Sequence, residues 1–199
     1  MVRKSLGHYD HASSNLAPGT KKINKKDSKM YFFTADQHLY HKNIIKYCNR
    51  PFNNVGEMSE TIISNHNKVV NKNDTVIHAG DFIFINDKQE IQKIINRLNG
   101  TNIFLKGCHD RWLPDKNPQI WRKTINKQFI VVCHYNMRTW PRSHYGSWQL
   151  FSHSHGTLDP VGKQHDIGVD NNNFYPVSFN KLVGIMENKS VEIRENREK

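Results

Sequence analysis

Apolar residues along this chain fall into two arrangements. Short consecutive blocks rich in β-branched and aromatic residues occupy 30–35, 75–79, 102–106, 129–133 and 148–151, with a weaker block at 165–169. Blocks of that length and composition predict buried strands. Between them the apolar positions take helical spacing. Met58, Ile62, Ile63, Val69 and Val70 mark a helix over 57–70, and Ile91, Ile94, Ile95 and Leu98 mark another that opens at Asp87 and stops at Asn99-Gly100. Asp87 with Glu90 three residues on has the form of a capping box. Residues 42–48 predict a short helix, and Ser178 predicts the cap of a last one running to Glu187. Segment 112–121, with two prolines, predicts a loop with at most one helical turn, and 135–147 predicts a long irregular loop. Strands separated by helical segments imply an α/β layered architecture. No repeat or inter-domain linker is visible. The expected organisation is a basic, disordered tail over 1–29, one folded domain over 30–187 and a charged tail over 188–199.

Composition narrows the class. The 199 residues carry a formal net charge of +11, a pI near 9.6 and only 36% hydrophobic residues. Such a balance favours anionic partners: a phosphorylated small molecule, a nucleotide or nucleic acid. It fits a solvated, lysine-rich surface equally well. No apolar run approaches a membrane span, so no membrane partner is expected. No apolar leader is visible, and Cys48, Cys108 and Cys133 form no disulfide framework. The expectation is a cytoplasmic protein with free thiols. Nothing in the sequence bears on oligomeric state.

Chemistry enters at the strand ends. Five apolar blocks run directly into groups that ligate metals: Asp36 and His38, Asp81, Cys108 and His109, His134, and His153 and His155. In layered α/β folds ligands gather at the carboxyl ends of strands. An isolated Asp-x-His is also what a surface turn carries, but five strand ends with the same property are hard to explain structurally. Oxygen and imidazole donors suit a divalent transition metal. The candidates exceed what one tetrahedral ion needs, and two ions sharing a carboxylate would use them, with Asp81 the natural bridge. Gly80 before it permits close backbone approach. His41, and Arg138, Arg142 and His144 on the 135–147 loop, are candidates to grip a phosphate. Trp140 and Trp148 either stack on a base or pack near their own strand ends. His66, His78 and His165 read as structural or exposed. Asp170 is a candidate support for a ligand histidine.

The order Asp36-x-His38, Gly80-Asp81, Gly107-Cys108-His109-Asp110, His134, His153-x-His155 resembles the calcineurin-like metallophosphoesterases, whose motifs read D-x-H, G-D, G-N-H-D, H and G-H-x-H. The resemblance covers about residues 30–187, and the continuation His41 to Ile45 is similar to the small bacterial and phage-type subgroup. It implies a four-layer α/β/β/α sandwich and hydrolysis of a phosphoester, a phosphodiester or nucleotide in first place, by a hydroxide bridging two metal ions. Manganese comes first, with zinc, iron or nickel as alternatives. It implies one ion on Asp36, His38, Asp81 and His155, and a second on Asp81, Cys108, His134 and His153. His109 would face the phosphoryl group as a catalytic residue, giving a proton to the leaving oxygen or stabilising transition-state charge, oriented by Asp110. Two positions depart from the family. Cys108 replaces an asparagine, putting a soft thiolate donor where a neutral hard oxygen is usual, which favours zinc or iron or else weakens the second site. Ser152 replaces the glycine before His153, tolerable unless that position needs positive φ. Because of Cys108, the alternative is a catalytically weakened binding module on the same fold.

Overall fold

In the computed structural model, which describes residues 29–191, the strand blocks pair into two four-stranded sheets. The elements in chain order are β1 (Tyr31–Thr34), α1 (Ile44–Tyr47), α2 (Val55–Val69), β2 (Thr75–His78), α3 (Lys88–Ile95), β3 (Thr101–Phe104), β4 (Ile120–Ile125), β5 (Gln128–Cys133), β6 (Trp148–Phe151), β7 (Gln164–Asp166), β8 (Val177–Ser178) and α4 (Phe179–Glu187). The first sheet has the order β3-β2-β1-β8, with β1, β2 and β3 parallel and β8 antiparallel. The second has the order β4-β5-β6-β7, a β4–β5 hairpin followed by parallel β5, β6 and β7.

Alternation along the strands decides which side faces what. Phe33, Ile77, Ile130, Val132, Trp148 and Leu150 point between the sheets, and Phe179, Leu182 and Met186 of α4 join them in one core. Each such fully buried side chain contributes about 1.5–3 kcal/mol. The opposite face of the first sheet is covered by α2 and α3, whose Met58, Ile62, Ile63, Ile91 and Ile94 pack with Leu39, Phe82 and Ile83. Asn54, Asp87 and Ser178 cap α2, α3 and α4 through their side chains. Glu90 does not complete the expected capping box, because its carboxylate pairs with Lys93 instead. Val69 turns outward, away from the buried stripe of α2. On the outer face of the second sheet, buried Gln149 is bonded to Tyr135 and Met137 of the 135–147 segment, which lies across it.

Two elements were not expected. β4 occupies ground read as loop up to Trp121, because an edge strand carrying Arg122 and Lys123 shows no apolar alternation. Its two-residue turn uses Asn126 and Lys127 at φ 46° and 70°, a left-handed pair that usually announces itself by glycine. β8 is only two residues long. The proposed tails lie almost wholly outside the described residues. At the C-terminal side the ordered contacts reach past 187, since Lys189 Nζ donates to Gln164 O. Among the described residues no helix is long and apolar enough to cross a membrane, and all three cysteines are free.

Candidate metal centre

Parallel strands put their carboxyl ends on one edge, and both sheets present that edge to the same side. An extension of β7 stitches them there, pairing Gly168 with Ala35 beyond the end of β1. The first sheet delivers Asp36, Asp81 and Cys108 to this edge, and the second delivers His134, His153 and His155. They form two groups of mutually close donor atoms: Asp36, His38 and His155, and Asp81, Cys108, His134 and His153. Asp81 Oδ2 lies between the groups, 3.7 Å from His38 Nε2 and 3.4 Å from His134 Nε2.

The backbone is strained where these side chains turn inward. Asp36, His38, Asp81, His153 and His155 all have left-handed φ, between 48° and 72°. A non-glycine residue in that region costs about 1–2 kcal/mol, and such outliers gather at functional sites. The glycines serve a different purpose. A Cβ on Gly107 would lie 2.3 Å from Asp81 Oδ1, and one on Gly80, at φ 103°, would lie 2.7 Å from Gly107 Cα. The two glycines pass each other so that the Asp81 carboxylate can enter.

The burial and bonding of these donors suit a cation. Asp36 Oδ1 and His38 Nε2 are buried without a hydrogen-bond partner, an arrangement that costs about 1–3 kcal/mol or more per group. Burial raises the Asp36 carboxyl to about 7, against the opposing pull of His134 and His155. Burial lowers His38 to about 3, so it is a neutral imidazole with a free lone pair. Burial would also depress His134, but its hydrogen bond to Asp81, the bond to Cys108 and the charges of Asp81 and Asp36 raise it to about 11. Burial works to raise Asp81 too, and is outweighed by His134, the His109 amide and His38, which hold it below the usual carboxylate range. His134 Nδ1 donates to Ala79 O at 3.0 Å, which directs the Nε2 lone pair at the centre, 3.2 Å from His153 Nδ1. Ser152 needs no positive φ. It is buried, with Oγ donating to His134 O and 3.1 Å from His134 Nδ1, so it helps seat that ring.

Behind the first group stands a support that sequence reading saw only in part. Asp170 accepts from His155 Nδ1 at 2.7 Å. Burial works to lower His155, and the Asp170 bond with the Asp36 charge raises it overall. Asp170 is itself gripped by both Nε and an Nη of buried Arg50, at 2.7 and 2.8 Å. The same guanidinium donates to the carbonyls of Asp36 and Gln37. Arg50 was missed because a lone arginine after a short helix carries no motif.

Asp110 corrects an expectation. Its carboxylate accepts from the amides of Asp81, Phe82 and Gly107 and from Trp112 Nε1, and none of these bonds reaches the His109 ring. It holds the Asp81 turn against the Gly107 turn and does not orient His109. His109 is exposed, with its amide bonded to Asp81 Oδ1 at 2.9 Å and its ring 5.6 Å from that of His38. His41 lies beside it, Nδ1 3.4 Å from His38 Nδ1.

The 135–147 candidates fare differently. β5 and β6 are parallel, so their connection must leave the site edge and return to the opposite one. Arg142 is exposed and lies over Phe129 near the start of β5, 4.7 Å from its ring. His144 packs on Tyr145 beside Gly146, whose carbonyl meets Gln128 at that same far end. Neither is at the metal edge. Arg138 is exposed one residue beyond Met137, which is tied to Gln149 in the middle of β6. Trp140 and Trp148 are buried, Trp140 bonded to Ser147 O and Trp148 against Phe179, so neither is a base platform. His78 is likewise structural, held between Gln37 and Asn102.

Cys108 sits at the centre. Its exposed Sγ is 3.3 Å from Asp81 Oδ2 and 3.8 Å from both His134 Nε2 and His153 Nδ1.

The chain is similar to an uncharacterized protein of Methanocaldococcus jannaschii, 30% identical over 168 residues that span 80% of this chain and 93% of that one. No family model matches it. Among solved structures, a protein of unknown function from Aquifex aeolicus aligns with a TM-score of 0.61 at 23% identity, over 79% of this chain and 100% of that chain, which shows a common fold. A conserved uncharacterized protein of Streptococcus pneumoniae described as a predicted phosphoesterase aligns over 70% of this chain and 71% of its own, at 14% identity and a TM-score of 0.40. Vps29 from Entamoeba histolytica aligns over 70% and 72%, at 15% identity and 0.42.

Proposed function

We propose that the chain is a calcineurin-like metallophosphoesterase, the family its five strand-end motifs resemble, and that it hydrolyses a phosphoester, a phosphodiester or nucleotide in first place, with two divalent metal ions. The observation that carries this is the convergence of seven donors from five strand ends into two neighbouring groups, with Asp81 at their junction. The donor set fits such ions: Asp36 Oδ1 and His38 Nε2 are buried and unbonded, and two glycines admit the Asp81 carboxylate. Asp36, His38 and His155 would hold one ion and Cys108, His134 and His153 the other, with Asp81 serving both. Bound there, the ions would supply a nucleophile from water at neutral pH and neutralise phosphoryl oxygens.

The chain's own residues do the rest. Ala79 and Ser152 orient His134, and Asp170 with Arg50 orients His155, so that imidazole lone pairs meet at one place. Asp110 keeps the Asp81 carboxylate in position. His109, locked to Asp81 through its amide, presents an exposed ring beside both groups and can give a proton to the leaving oxygen. Manganese is the first candidate metal. The sulfur of Cys108 shifts preference toward zinc or iron, with nickel also open. The net positive charge of the sequence fits a phosphorylated small molecule, nucleotide or nucleic acid, and the three free thiols fit the reducing cytoplasm.

One observation favours a second reading, a binding module with weakened catalysis. Cys108 Sγ lies 3.3 Å from the Asp81 carboxylate, where a thiolate would offset the Lewis acidity of an ion. Hydrolysis of a chromogenic phosphodiester and a monoester, with manganese, zinc or nickel added, separates the two. Turnover with preference for the diester is expected. Failure with every metal would leave the binding module.

A further inference from the structure

Beyond the donor groups, the strand-like segments that carry His38 and Asp81 continue side by side. Leu39 bridges Ile83 in parallel register, and Phe84 N donates to Leu39 O. This extension brings the next outward side chains together: the His41 ring lies flat on Phe84, centroids 3.9 Å apart and planes within 13°. Phe84 remains 45% exposed. It forms part of a cleft of about 110 Å³ lined by Ile83, Phe84, Ile85, Asn86, His109 and Arg111. His109 therefore has two sides, one toward the donor groups and one forming a wall of this cleft.

We propose that this cleft is the leaving-group pocket and that it takes a nucleobase. The assignment rests on the phosphoesterase reading for its direction: if His109 protonates the departing oxygen, what is attached to that oxygen lies on the cleft side of the ring. The lining selects the class. Phe84, stiffened by His41 behind it, offers an aromatic surface for stacking, and Ile83 and Ile85 add apolar wall. Asn86 supplies an amide donor and acceptor at the rim, and Arg111 supplies a guanidinium, the groups that read the polar edges of a base. A serine or threonine leaving group has no planar face to present to Phe84. The net positive charge suits a phosphate-bearing ligand.

The test uses calorimetric binding to the full chain loaded with zinc. Adenosine, guanosine, uridine and cytidine 5′-monophosphates are compared with ribose 5-phosphate, which carries a hydroxyl at C1 in place of the base, and with phenyl phosphate. A base stacked on one aromatic ring should tighten binding about tenfold or more. That ratio should collapse in Phe84→Ala and persist in Phe84→Tyr, which restores the ring and guards against an effect on folding. Equal affinities for nucleotides and ribose 5-phosphate would overturn the proposal, as would an unchanged ratio in Phe84→Ala. Phenyl phosphate matching the nucleotides would overturn the choice of a base over any aryl group. Absence of diester turnover under every metal, with the base-dependent ratio intact, would count against hydrolysis and in favour of the pocket.

Discussion

Asp36 and His38 are almost wholly buried, with relative exposures of 0% and 2%, while Cys108 and His153 of the neighbouring group meet solvent. The first group also has depth: His155 rests on Asp170, and Asp170 on Arg50, which reaches back to the carbonyls of Asp36 and Gln37. The second group is anchored through His134 and Asp81, but its outer members are a thiol and a ring against Tyr135. Buried, pre-oriented donors lose little freedom on binding an ion, whereas exposed ones must be ordered by it. We therefore expect the first group to bind metal more tightly and the second to be the exchangeable side, open to substrate.

The largest expected effect comes from removing what the two groups share. Asp81→Asn should lose both ions and take turnover to background, read by metal analysis alongside circular dichroism to show the fold persists. Loss of one ion only would assign Asp81 to one side. His109→Ala should keep its metal and lower kcat by about 10²–10⁴-fold. If metal leaves as readily as in the Asp81 variant, His109 is a ligand and not an acid.

The burial of the first group has its own signature in metal-free protein. Asp36 has its folded pKa raised from 3.8 to about 7. Between those values the unfolded chain has lost the proton and the folded chain keeps it, so stability falls as pH rises through this window. Taken alone the shift corresponds to about 4 kcal/mol. Denaturant titration of metal-free wild type and Asp36→Asn from pH 4 to 7.5 should show a stability difference that grows in favour of the variant. A constant difference would mean Asp36 is ionised throughout. Asp170→Asn should weaken the tighter ion about 10–100-fold and leave the weaker one in place. Equal weakening of both would erase the distinction between the groups.

Much of this was legible in the chain, and the pattern of what was not is instructive. Apolar blocks ending in Asp36, Asp81, Cys108, His134 and His153 marked strand ends, and parallel pairing made those ends converge. Arg50 was invisible, because a partner 120 positions away in Asp170 leaves no local trace. The left-handed backbone at Asp36, His38 and Asp81 was hidden too, since strain imposed by tertiary contacts contradicts propensity. Arg142 and His144 misled by proximity in sequence to His134, when the parallel β5–β6 connection carries them to the far edge. Asp110 was adjacent to His109 and so was paired with it, although its oxygens face the amides of Asp81, Phe82 and Gly107.

Cys108→Asn should give the smallest effect and the sharpest view of the open group. If sulfur is a ligand, the variant turns over faster with manganese at saturation and holds zinc less well. If sulfur points away, the metal concentration needed falls and the saturated rate stays the same. A variant unchanged in both would remove Cys108 from the centre and with it the placement of the second ion.

The number of ions tests the account most directly. The 199-residue chain titrated with zinc or manganese, with bound metal counted after repurification at each step, should fill two sites per chain. The tighter should be lost first in Asp170→Asn and the weaker perturbed in Cys108→Asn. A plateau at one ion per chain under saturating metal would contradict it.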